Sequence, residues 1–168
     1  MRVLQINTIY KNKSTGRICL ELSHALIQRG HLCLTAYGHD DVKEENSYCI
    51  NSDFEYKLHN FLSRLTGLEG YFSIIPTLRL IKKIKEYNPD VIHLDNLHGH
   101  YLNLPIFFRF LKKSQIPVVV NLHDCWILTG KCCHPTYHNN CNGWLTECKN
   151  CPARGEYPVS WCFDFSKM

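Results

Sequence analysis

No stretch of the chain approaches the roughly 20 consecutive apolar residues that a membrane-spanning helix needs. Residues 1–9 carry one arginine and a short apolar run broken by Gln5, Asn7 and Thr8. They lack the longer unbroken apolar core and the small-residue cleavage site of a secretory signal. The cytoplasm is therefore the expected compartment. There is no internal repeat and no low-complexity tract, no G-x-G-x-x-G dinucleotide fingerprint and no Walker loop. Charge of one sign is also scarce: the net +4 over 168 residues permits a phosphate, nucleotide or lipid headgroup as partner without requiring one.

Apolar residues make up 45% and charged residues 20%, an ordinary globular composition that suits one domain with a real core. Cysteine is abundant and uneven. Seven of the ten fall between Cys125 and Cys162, and in a reducing compartment a local cluster more often holds a metal than disulfides.

Strands and helices alternate along the first three quarters. Val3, Leu4, Ile6 and Ile9 mark a buried strand over residues 2–9. Ile18, Leu22, Ala25 and Leu26 recur at helical spacing up to Gly30, a good helix stop. Residues 31–37 read as a second strand and the polar stretch 40–53 as a loop. Helices are expected over 54–65, over 77–87 (Leu78, Ile81, Ile84 and Lys85 keep the spacing, and Asn88-Pro89 ends it) and over 102–113. A short strand covers 90–94. The Val/Ile/Leu-rich run 116–122 reads as a central parallel strand buried on both faces. This order predicts an α/β fold, a Rossmann-like parallel sheet with helices on both faces. The expected division is a Rossmann-like domain over 1–130, followed within the same domain by a Cys-rich insertion and tail over 131–168.

Ligands of an open parallel sheet bind beyond the carboxyl ends of its strands. Asn7, Tyr10 and Ser14-Thr15-Gly16-Arg17 lie there after the first strand, and Gly38-His39 after the second. The third is followed by Asp95-Asn96-Leu97-His98-Gly99 and the fourth by His123-Asp124-Cys125-Trp126. Ser14, Thr15, Gly16 and Arg17 open a helix, so free N–H groups and Arg17 could meet an anion; Thr15 could equally be a plain helix cap. His123 could bond a substrate hydroxyl or exchange a proton near neutral pH, or simply cap its strand.

In Cys132-x8-Cys141-x6-Cys148-x2-Cys151 the C-x2-C pair can bite one tetrahedral zinc and the other two thiolates complete the set. Cys133, His134 and His138 are alternative ligands, and free or redox-active thiols are the competing reading. A structural zinc is expected and no catalytic metal. The basic-apolar runs 80–85 and 106–113 could rest on an anionic membrane surface at its inner face, or be helices with one buried side. No nucleic-acid partner is expected: cations are scattered, and between Cys132 and Cys151 the only basic residue is Lys149.

Several motifs together resemble bacterial family-4 glycosyltransferases of the kind found in capsule, exopolysaccharide and colanic-acid gene clusters. They are the opening Met1-Arg-Val-Leu-Gln-Ile-Asn, Ser14-Thr-Gly-Arg, Arg29-Gly-His, Ala36-Tyr-Gly and Tyr87-Asn-Pro-Asp-Val-Ile-His-Leu followed by Asn96. Tyr101-Leu-Asn, Ile116-Pro-Val-Val and Leu122-His-Asp-Cys-Trp with Thr129-Gly continue the match. So do Cys132, Cys141, Trp144, Cys148, Cys151-Pro and Tyr157-Pro. The resemblance implies the N-terminal half of a GT-B fold and retaining transfer from a nucleotide-diphosphate sugar to a polysaccharide or lipid-linked acceptor. It makes His123 the cleft histidine near the donor sugar, with Asp124 beside it as a second catalytic residue. It places Ser14–Arg17, Asp95, Asn96, His98, Tyr101 and Trp126 on the substrates. Relatives usually carry His at the position of Asp95, and they continue past residues 165–168 into a donor-binding domain. The chain alone is thus expected to be inactive, with a separately encoded C-terminal domain as an expected partner. A non-enzymatic, zinc-stabilised saccharide- or protein-binding module is the alternative.

Overall fold

The structure, a computed structural model, describes residues 1–39, 44–129, 131–135, 141–146, 148 and 150–163. Part of the loop expected at 40–53, the alternative ligand His138, Lys149 and the final residues 164–168 lie outside them. Five parallel strands, β1 (Arg2–Asn7), β2 (Leu32–Tyr37), β3 (Ser47–Cys49), β4 (Val91–Leu94) and β5 (Val118–Val120), form one sheet in the order β3-β2-β1-β4-β5. The helices are α1 (Lys13–Gln28), α2 (Asp53–Thr66), α3 (Ile74–Tyr87) and α4 (Leu104–Ser114). The expected α/β, Rossmann-like parallel sheet is what forms. No helix among the described residues is long and apolar enough to cross a membrane.

Successive side chains of a strand point to opposite faces, and the two faces of this sheet differ in chemistry. Leu4, Ile6, Leu34, Ala36, Ile92 and Leu94 pack with Leu80 and Ile84 of α3 and Phe107 and Leu111 of α4 into one large apolar core. The opposite face puts Gln5, Cys33 and Thr35 against α1. There the Gln5 amide donates to the Cys19 carbonyl at 3.2 Å and approaches Cys33 Sγ at 3.2 Å and Thr35 Oγ1 at 3.4 Å. α1 accordingly buries small residues, Gly16, Cys19 and Ser23.

Local signals set the helix ends. Ser52 and Glu55 form a capping box at the start of α2, and Gly67 (φ 79°) closes it in the left-handed conformation, which a glycine adopts without steric cost. Asn88 ends α3. Asn103 accepts from Ile106 N at 3.1 Å to open α4.

Several sequence expectations are corrected. β1 ends at Asn7 rather than Ile9, and α1 starts at Lys13, with Asn12 rather than Thr15 at its N-cap. The expected loop 40–53 contains β3, whose three residues are too few to show a period. Helical phase is rotated in two places: Ile18 is exposed while Gly16, Cys19 and Ser23 of α1 are buried, and Leu78 is exposed while Thr77 and Leu80 join the expected Ile84 in the core. The largest correction concerns β5. It is an edge strand, and Val118, Val119 and Val120 are all exposed. In register Val119 sits beside His93, on the α1 face, where α1 contacts β1 and β2.

An edge strand with apolar side chains on both faces is a template for intermolecular pairing. The 168-residue chain should therefore self-associate with rising concentration. Val119→Lys, which puts a charge on the open face, should shift it toward monomer in sedimentation velocity. Unchanged association would place the contact elsewhere.

Candidate active site

The carboxyl ends of β4 and β5 converge on a small cavity of ≈10 Å³ whose lining includes Asp95, Asn96, His98, His123, Asp124 and Trp126. Six residues predicted from sequence are thus brought to one place. The loop after β4 is fixed from three sides. Asn7 Oδ1 accepts from Asn96 N at 3.3 Å. The Thr8 hydroxyl donates to the His98 carbonyl. Glu69 Oε1 accepts from Gly99 N at 3.0 Å and His100 N at 2.8 Å. Gly99 has φ +113°, and a Cβ there would stand 2.3 Å from Thr8 Cγ2, so the crossing of the two loops requires glycine.

Two acid–histidine pairs cross between the loops. Asp95 Oδ1 lies 2.9 Å from His123 Nε2, and Asp124 Oδ2 lies 2.7 Å from His98 Nε2. Asp95 is buried. Burial by itself would raise its pKa, but His93, His123 and Cys19 outweigh it and hold the carboxyl below the ordinary aspartate range. An ionised carboxylate only accepts, so His123 Nε2 carries the proton in this pair, and Nδ1 is left for a ligand. Asp124 is likewise held low: burial is outweighed by bonds from His98 and from Trp126 N. His98 Nε2 therefore donates to Asp124, and Nδ1 accepts from the Tyr157 hydroxyl at 3.0 Å. The Trp126 ring meets the His98 ring edge-on at 5.6 Å.

The remaining predicted residues are placed differently. The Asp95 side chain has no exposure, because its oxygens are occupied by His123, His93 and Cys19; it acts through His123 rather than on a substrate. Tyr101 is fully buried in the apolar core, and its hydroxyl donates to the Asn96 carbonyl at 2.6 Å. It braces the site from behind. Gly16 does allow a close backbone approach, but by Tyr10 and Lys11 of its own loop, with Lys11 N donating to Gly16 O at 3.0 Å. Ser14 and Arg17 are exposed and Thr15 half-buried in the first turns of α1. None of the four lines the ≈420 Å³ cavity at the start of α1, which is bordered by Thr8, Asn12, Lys13, His39, Tyr56 and Tyr157.

Sequence reasoning missed Glu69 and gave Tyr157 no role. Glu69 stands 2.7 Å from His100 Nδ1 and accepts from the Ser63 hydroxyl at 2.6 Å. Burial works against its ionised form, yet His100, His59 and Ser63 hold its pKa far below normal. Burial pushes the neighbouring His59 down to about 4. An acid between Leu68 and Gly70 carries no signal of such a role; only the fold brings it to the loop after β4.

Cys132, Cys141, Cys148 and Cys151 line one small cavity together, and none of the cysteines is disulfide-bonded. Cys133 faces the site instead: its sulfur lies within 4.8 Å of ligand atoms of His98 and Asp124, and burial, reinforced by Asp124, pushes its thiol up to about 12.

A parallel α/β domain with a histidine–carboxylate cleft beyond its strands is the class defined by these features. The Glycosyltransferase Family 4 profile matches residues 15–147, and the chain belongs to that family. It is 28% identical over 171 residues to the protein named "Putative colanic acid biosynthesis glycosyl transferase WcaC" of Escherichia coli (strain K12), an alignment covering 94% of this chain and 41% of that relative. The chain thus spans well under half the length of that relative.

The titrations share one sign. Glu69, Asp95 and Asp124 have lowered folded pKa values, so their stabilisation is complete above the ordinary carboxyl values of 4.5 and 3.8 and is lost as pH falls through the folded values. His59, held neutral, loses its contribution as pH falls from 6.5 toward 4. The urea midpoint should therefore fall between about pH 6.5 and 4 as the His59 contribution is lost, and fall further below about pH 4.5 as the carboxylates begin to protonate. Glu69→Gln should destabilise by on the order of 3 kcal/mol at neutral pH and flatten that pH dependence. A midpoint that does not fall further below about pH 4.5 would show that these carboxylates are not coupled to folding.

Proposed function

We propose that this domain is the acceptor-side half of a retaining glycosyltransferase that moves a sugar from a nucleotide-diphosphate donor to a polysaccharide or lipid-linked acceptor. Family membership and the name of the E. coli relative support the class of reaction. The observation that carries the division of labour is the charge of the small cavity. It is walled by His98, His123 and Asp124 and backed by the buried Asp95, which leaves the free His123 ring nitrogen for a sugar hydroxyl and offers no cation to a diphosphate. In transfer, the bond between the anomeric carbon and the diphosphate oxygen breaks, the acceptor hydroxyl oxygen forms the new bond, and the hydroxyl proton passes to the departing diphosphate. The leaving diphosphate keeps the bonding electron pair and must be met by positive groups. Near the site these amount to Lys13 and the start of α1, at the ≈420 Å³ cavity. A donor-binding domain is required to supply the rest.

His123 is the proposed catalytic contact, with Nδ1 on a sugar hydroxyl and Nε2 fixed by Asp95. Asp124 acts through His98, and Asn96 and Trp126 complete the wall. In a two-domain enzyme carrying this half, His123→Ala should lower kcat on the order of 10²-fold, measured as sugar transfer from a labelled nucleotide sugar. The 168-residue chain alone should show saccharide binding in titration calorimetry and negligible turnover. Turnover by the isolated chain, abolished by His123→Ala, would overturn the division. Saccharide binding with no transfer after fusion to a donor-binding domain would favour the binding-module alternative.

A further inference from the structure

Residues 131–163 hold together without the means that hold the rest of the fold. Their regular structure among the described residues is confined to 3-10 turns, at Pro135 and Gly143–Leu145. They bury Lys131, Cys132, Pro135, Ala153, Pro158 and Ser160, while Trp144, Leu145, Tyr157, Trp161 and Phe163 are exposed. A segment that leaves its large apolar side chains in water has no apolar core of its own, and something else must offset its ordering entropy.

What the segment does bring together is sulfur: Cys132 is buried and Cys141, Cys148 and Cys151 are half-buried, with no three of these sulfurs yet within 4.8 Å of one another, so an ion would draw them in. Cys132, Cys141, Cys148 and Cys151, drawn from 20 positions of chain, line a cavity of ≈20 Å³. That is room for about one water-sized particle. Gly143 sits between two of the four, its missing Cβ 3.6 Å from Cys141 Sγ and 3.8 Å from Cys148 Cα. Lys131, buried with its ammonium bonded to the Pro158 carbonyl, lines the same cavity.

We propose that Cys132, Cys141, Cys148 and Cys151 bind one zinc ion as four thiolates, and that this ion holds in place the segment that delivers Tyr157 to His98. Binding releases the four thiol protons to solvent, and no electron is transferred. Zinc has no redox or directional preference of its own and accepts four sulfurs tetrahedrally. The link to the cleft is short. Cys132 is a ligand, while the next residue, Cys133, accepts from Cys125 N through its carbonyl at 2.8 Å and brings its sulfur beside Asp124 and His98. At the other end, Lys131 grips the carbonyl of Pro158, next to Tyr157. Tyr157 then closes the hydrogen-bonded chain Tyr157–His98–Asp124 and walls the larger cavity. The ion is structural, and the cleft depends on it through the position of one hydroxyl. This inference stands whether or not the transferase reading does.

The test uses the 168-residue chain purified under reducing conditions without chelator. Elemental analysis should give one zinc per chain. Cobalt exchanged into the site should show the intense visible bands of a tetrahedral tetrathiolate. Cys148→Ser/Cys151→Ser should lose the metal, whereas Cys49→Ser and Cys162→Ser, both exposed and outside the cavity, should keep it. As the double variant may fail to fold, the wild-type chain is also stripped with a thiol reagent and chelator. Hydrogen exchange should then speed up in peptides covering 151–163 while β1, β2 and β4 stay protected. Absence of metal, iron in place of zinc, or zinc retained by the double variant would overturn the assignment. Unchanged exchange at 151–163 after zinc removal would overturn the positioning role.

Discussion

The cleft rests on a carboxylate withdrawn from water. A buried charge without partners is expensive, so Asp95 can sit at the end of β4 only because His123, His93 and Cys19 converge on it. That requirement ties three strands and a helix to one point: β1 flanks β4, α1 brings Cys19, and the loop after β5 brings His123. The same demand explains why the α1 face of the sheet is polar. Gln5, Thr35 and Cys19 form a hydrogen-bonded layer continuous with Asp95, whereas the opposite face, under α3 and α4, is almost wholly apolar.

A second buried carboxylate, Glu69, does for the loop geometry what Asp95 does for the histidine. It ties down two consecutive backbone N–H groups at Gly99 and His100. Its position between α2 and α3 means that helices remote from the strand ends still determine where His98 points. The two acids thus divide the work, one orienting a ring and the other shaping the loop that carries the second ring.

The alternation of strands and helices was legible because each long element repeats its own period, and Gly30 and Asn88 stop their helices for local steric reasons. The polar strand ends were legible too, since topology sends ligands there. What eluded the sequence depends on tertiary placement. The Val118–Val120 run reads as buried because composition records affinity for a core, while exposure depends on which strand occupies the edge. Tyr101 lies in the right loop, but the direction of its side chain is set by packing against the core. Partnerships such as Asp95–His123 and His98–Asp124 join residues 26 to 28 positions apart, and no spacing rule in a single sequence announces them.

The crossed arrangement of those two pairs has an evolutionary consequence. Each loop contributes one acid and one histidine, and each acid serves the histidine of the other loop. A substitution on either loop strands a group on the opposite one, so the four positions cannot drift independently. Lineages that change the acid at position 95 must pass through a compensating change around His123. Single exchanges in this cleft therefore cost stability that only a second, matching exchange on the other loop restores.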